Sequence, residues 1–228
     1  MTVIADQAGR FSEFYEFKTI APGPKPWFFN DDTIDNPEDY APYCRWTRHR
    51  PAYIPAGTSK TSDEIRGFGP DLKNWVISVH EAAHAVMHLV RGTEVKYVFI
   101  GKDDGHVRYV IDSQPFRNEA AAAGERAEGR WLHESGLWNE DRAWIAERVA
   151  WMDRRDIEEF NGGKLTFGTD PYSPTDLIQI HAATDVLLDH SWDRVMKLAA
   201  HLTENPYVTG DEAAAVTGLT NHKYRANR

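Results

Sequence analysis

From Pro70 onward, apolar residues recur at Leu72, Trp75, Val76, Val79, Ala83, Val86 and Val90. That spacing is close to helical. Pro70 suits the first turn of such a helix, and Arg91-Gly92 supplies a basic last turn followed by a glycine stop. The period then changes to two. Val95, Tyr97 and Phe99 alternate in one short run and Val107, Tyr109 and Ile111 in the next, with residues 101–105 as a hairpin loop. The remainder predicts helices over about 117–135, 139–160, 174–189, 191–204 and 209–217, broken by a loop carrying Gly162-Gly163, Gly168 and Pro171. The expected fold class is α+β, mostly helical, with a small antiparallel hairpin or sheet and a C-terminal helical bundle.

Residues 1–69 show neither period. They are rich in Pro, Gly, Asp and aromatics, as in Ala21-Pro22-Gly23-Pro24-Lys25-Pro26-Trp27-Phe28-Phe29. The aromatics argue against plain disorder, so the expectation is an extended arm packed on a domain, with a hinge near Gly67-Phe68-Gly69. The expected division is an arm over 1–69, a catalytic domain over 70–217 and a tail over 218–228. A chain of 228 residues, 41% hydrophobic, can bury one sizeable core or two small ones.

The net charge of −9 makes nucleic-acid binding an unexpected main activity. The basic stretch Arg45-Trp46-Thr47-Arg48-His49-Arg50 reads as a solvated loop. The single cysteine, Cys44, excludes an intrachain disulfide and any zinc site needing two or more cysteines, and reads as structural. No signal peptide and no run of about 18 apolar residues is visible. A cytoplasmic protein without a membrane partner is expected.

The first helix contains His80-Glu81-Ala82-Ala83-His84, an H-E-x-x-H pattern. Residues four apart share a helix face about 5–6 Å apart at Cβ. Two imidazoles there can reach one zinc ion at about 2.0–2.1 Å. Glu81 is rotated off that face, so it suits a general base acting on a water whose pKa the metal lowers towards about 7. With 10 His in the chain, random placement gives this pattern about 0.03 times. The alternative is a helix with two ordinary histidines.

Catalytic zinc normally keeps three protein ligands and an open position. His88 continues the face, but lies about 12 Å along the axis from His80 and suits the core or an outer shell better. An extended H-E-x-x-H-x-x-G-x-x-H pattern fails at Met87 and Val90. Asn118-Glu119 resembles the distal glutamate of thermolysin-like enzymes, though Ala120 to Ala123 do not continue that motif. Glu125, Glu128 and Glu147 remain open.

Val79-His80-Glu81-Ala82-Ala83-His84-Ala85-Val86 resembles the peptidase domain of FtsH-type zinc proteases, where H-E-A-G-H-A is typical. In that family a distal aspartate opening a later helix completes the metal site. Gly168-Thr169-Asp170-Pro171-Tyr172-Ser173-Pro174-Thr175-Asp176-Leu177 is similar to that segment, so the resemblance implies Asp176 as third ligand. Asp170 and His181 are the neighbouring candidates. An aspartate near a helix start is also an ordinary cap or dipole partner. The closing helices, with Thr209-Gly210-Asp211-Glu212, look similar too, and the likeness spans roughly residues 70–217. Ala83 stands where the family has Gly, Ile180-His181 where it has Ala-Thr, and no phosphate-binding G-x-x-x-x-G-K-[ST] loop of an ATPase is present.

The resemblance implies a stand-alone zinc endopeptidase acting on peptides or unfolded protein, with substrate added as a strand along residues 105–112. Two other classes are carried beside it. One is a zinc-containing binding module kept latent by its N-terminal arm. The other is a zinc hydrolase of a small non-peptide amide.

Overall fold

The structure is a computed structural model, and it describes residues 2–3, 16–17, 66–102, 104–110, 118–139, 142, 146, 151–166 and 172–224. Cys44, the 45–50 stretch, Glu147, Asp170 and Ile111 lie outside the described residues, as does the arm apart from a two-residue strand pair and residues 66–69. The strands are β1 (Thr2–Val3), β2 (Glu16–Phe17), β3 (Val95–Ile100), β4 (Gly105–Tyr109) and β5 (Tyr207–Thr209). The helices are α1 (Pro70–Val90), α2 (Asn118–Ala121), α3 (Ala123–Glu134), α4 (Trp151–Asn161), α5 (Leu177–Glu204) and α6 (Gly210–Thr217). The fold is α+β and mostly helical with a small antiparallel sheet, as the residue pattern predicts. The chain divides into two compact units, one of residues 1–67 and 129–186 and one of 68–128 and 187–228.

The second unit is built around α1. Pro70 stands at its start and Gly69 caps it in an extended conformation without a side-chain hydrogen bond. Gly92, at φ +74°, ends it, a backbone angle that glycine adopts without strain. The apolar stripe of α1 is fully buried at Val79, Ala82, Ala83, Val86 and Met87. It packs on β3, β4, α2 and α6. Burying a Val or Met side chain of this stripe stabilises the fold by about 1.5–3 kcal/mol.

The sheet has the order β4-β3-β5, antiparallel throughout, with β4 at an edge among the described residues. The alternation expected for β3 is interrupted by a register shift between Val95 and Tyr97. Val95, Val98 and Ile100 therefore face the core, while Tyr97 and Phe99 are only half-buried. The segment after Thr217 ties back to β3. Asn221 accepts a hydrogen bond from the Val95 amide at 2.9 Å and donates to the Val95 carbonyl at 2.8 Å. The Tyr224 amide donates to Glu94, whose carboxyl is held below its usual range mainly by its hydrogen bond from Lys96.

Two boundaries differ from expectation. The helices placed at 174–189 and 191–204 are one helix of 28 residues, α5. His190-Ser191 contains neither Gly nor Pro, and Ser191 is buried, so nothing there stops the ladder. The helix placed at 117–135 has a turn at Ala122, although the Ala122 amide still donates to Asn118 O at 2.9 Å.

In the first unit, α4 buries Ile157 and Arg154. Arg142 donates to the carbonyls of Arg66 and Leu137. Thr166 bridges to Asp176 immediately before α5, and the Leu177 amide donates to Thr166 O at 2.9 Å.

Candidate metal centre

His80, Glu81 and His84 sit at the middle of α1. The helical repeat brings the two imidazoles to a centroid separation of 4.8 Å at 67°. One ring nitrogen of each lies within 4.8 Å of the other's. His84 is buried and His80 partly exposed, so the pair has one wet side.

Each ring is oriented from behind by α2 and α3. The His84 Nδ1 lies 2.7 Å from the carbonyl oxygen of Ala120. A carbonyl only accepts, so Nδ1 carries the proton and Nε2 keeps its lone pair for a metal. The His80 Nδ1 faces Glu128 Oε2 at 3.6 Å, and Glu128 is 1% exposed. That carboxylate favours the same tautomer at His80. Burial, and next the neighbouring His80, push the His84 pKa down to about 4. His84 is therefore neutral near pH 7, the form that ligates.

Both Nε2 atoms pack against the same glycine, Gly124. A Cβ built on Gly124 of α3 would fall inside contact distance of the two Nε2 atoms together. Neutral imidazoles oriented in this way fit a transition-metal ion.

Glu81 is 7% exposed and reaches towards β4. A Cβ on Gly105, the first residue of β4, would lie 2.5 Å from Glu81 Cγ and 3.0 Å from its Cδ and Oε1. The sheet edge and the carboxylate thus meet where the strand begins. His88 is buried against Tyr109, with ring centroids 3.8 Å apart at 26°. The sequence expectation of a core or outer-shell role for His88 agrees with that packing.

The sequence matches no protein-family model and no curated protein.

The remaining candidates divide by environment. Glu119 of α2 pairs with Arg91 at 2.7 Å. Glu125 and Glu128 are buried on α3. In the other unit, Asp176 is fully buried just before α5. Its Oδ1 accepts from the Gln179 amide at 3.2 Å and its Oδ2 from Thr166 Oγ1 at 3.0 Å. This is a helix cap in form. His181 is buried one turn on. Asp153, half-buried in the first turn of α4, is a further carboxylate donor that the sequence reading did not single out. Its only sequence signal is an acid in a helix's first turn, which the helix dipole alone explains.

None of the described helices is long and apolar enough to cross a membrane.

Proposed function

We propose that this chain is a zinc-dependent hydrolase of peptide bonds, related in its site to the FtsH-type peptidases, with His80 and His84 as metal ligands and Glu81 as general base. The observation that carries this reading is a pair of imidazoles one helical turn apart whose Nδ1 atoms face acceptors and whose Nε2 atoms converge on Gly124. A histidine pair used only for packing has no need of one shared orientation. The third donor is a carboxylate, which the resemblance assigns to Asp176, with Asp153 as its competitor.

Zinc, when bound, supplies Lewis acidity and lowers the pKa of water to near neutrality. The chain's own groups do the rest. Ala120 and Glu128 hold the two rings in the ligating tautomer. Glu81, confined by β4, takes a proton from the attacking water at its carboxylate and delivers it to the leaving amine. An extended peptide that adds to β4, an edge among the described strands, would lie beside Glu81. Unfolded protein or flexible peptide is the substrate class that can present such a strand. A chain of net charge −9 in a non-membrane setting, the cytoplasm in our reading, suits that task.

The test pairs two variants. Glu81→Gln should keep one zinc per chain and lose hydrolysis of unstructured casein by about 10²–10⁴-fold, since Gln cannot take the proton. His84→Ala should lose the zinc itself. Full turnover by Glu81→Gln removes Glu81 from the reaction. Zinc without any hydrolysis in the wild type, across diverse peptides, leaves a binding module or a small-amide hydrolase instead.

A further inference from the structure

Gly124 lies one helical turn beyond Ala120, the residue whose carbonyl orients His84. A Cβ at Gly124 would meet His80 Cδ2 at 2.5 Å and come within contact distance of the Nε2 atoms of both His80 and His84. Crowded side chains usually escape such a contact by rotating. These two are held: His84 by its 2.7 Å hydrogen bond to Ala120 O, and His80 by Glu128 behind its Nδ1. The backbone does not require glycine here: Gly124 is not among the glycines with positive φ, and alanine is the stronger helix former. The second glycine that touches the site, Gly105, lies against Glu81 and not against the imidazoles.

We infer that Gly124 is the floor of the metal site: the two imidazoles lie where a side chain at 124 would stand, so only glycine lets both rings keep the ligating position, and this residue sets metal occupancy without ligating. The inference rests on reading His80 and His84 as ligands. It predicts a specific trade. A methyl group at 124 displaces the two rings, leaves the helix intact and disables the site.

The experiment uses the full chain and zinc alone as probe. Gly124→Ala, His80→Ala/His84→Ala and wild type are stripped, titrated with zinc against a chromophoric chelator, and melted by circular dichroism. Gly124→Ala should bind zinc about 10-fold or more weakly, show the helical spectrum of the wild type, melt cooperatively near the zinc-stripped wild type, and shift less than the wild type on adding the same zinc. If Gly124→Ala binds zinc as tightly as wild type while His80→Ala/His84→Ala does not, this inference is wrong and the ligand reading stands. If His80→Ala/His84→Ala also keeps wild-type affinity, the ligand reading falls and takes this inference with it. Should Gly124→Ala not fold, the triple variant His80→Ala/His84→Ala/Gly124→Ala decides. The imidazoles that the methyl meets are then gone, so it should melt as cooperatively as His80→Ala/His84→Ala. A triple variant that stays unfolded beside a folded double variant shows that the glycine answers to something else, and overturns the inference.

Discussion

A Cβ on Gly105 would lie 2.5 Å from the Cγ of Glu81, so the first residue of the edge strand and the proposed base occupy adjoining space. Glu81 is 7% exposed and has little room to retreat. Gly105→Ala should therefore turn the carboxylate away while leaving His80 and His84 alone. The expected outcome is a loss of casein hydrolysis of about 10²-fold, within the range of a displaced general base, at unchanged zinc content. Measuring turnover and metal on one preparation checks it. Unchanged turnover would show that Glu81 does not depend on this contact.

Asp176 presents one residue with two readings. Its oxygens accept from Gln179 N and Thr166 Oγ1, as a cap does, and the family likeness makes it a ligand. Asn caps a helix about as well as Asp, so Asp176→Asn separates the two. We expect it to weaken zinc binding by at least about 10-fold while the thermal melt of the stripped protein stays in place. Asp153→Asn is the comparison. Zinc affinity that survives Asp176→Asn but collapses in Asp153→Asn would move the third ligand to α4.

How much of this was legible in the residues differs from place to place. Helix α1 was readable because Pro70 and Gly92 bracket an unbroken 3.6-residue period, and its histidine pair follows from that period alone. The hairpin was readable from alternation, but the register shift at Val95/Tyr97 was not, because a bulge is set by pairing. Strand β5 escaped notice: three residues between Pro206 and Gly210 are too few to show a period, and pairing with β3 makes it a strand. Two helices at 174–189 and 191–204 and one long α5 share the same local period, and it is the burial of Leu188, Ser191 and Val195 that carries the helix through. Gly105 and Gly124 were silent for a deeper reason. A glycine's role here is what its missing side chain leaves room for, and that neighbour is far away in sequence.

Asn221 holds both backbone groups of Val95, accepting from its amide at 2.9 Å and donating to its carbonyl at 2.8 Å. It also donates to Asp211 at 2.9 Å, and Lys223 pairs with the same carboxylate. The segment after Thr217 therefore acts as a tie on β3. Asn221→Ala leaves a buried strand end short of two partners, at a cost of about 1–3 kcal/mol. Urea unfolding should show a lower midpoint at an unchanged slope. A midpoint equal to that of wild type would show that water replaces the amide without loss.

His88 supplies the pH prediction. It is 5% exposed, stacks on Tyr109, and its Nδ1 makes no hydrogen bond among the described residues. Burial, and next the nearby His84, push its pKa down to about 3. The unfolded chain has an ordinary histidine near 6.5. Between those values the unfolded state binds a proton that the folded state refuses, so stability falls as pH drops below about 6.5 and the effect levels off near 3. The slope from one such group is about 1 kcal/mol per pH unit. His84, with a pKa lowered to about 4, adds a decline of the same sign in the metal-free protein. His88→Phe keeps an aromatic ring against Tyr109 and removes both the titration and the unbonded nitrogen. In chelator, so that metal loss plays no part, the variant should match or exceed wild-type stability at pH 7. Its melting temperature should then fall less steeply between pH 6.5 and 4. Melting curves that run parallel for the two proteins over that window would mean His88 is protonated in the fold, and that burial against Tyr109 does not keep it neutral.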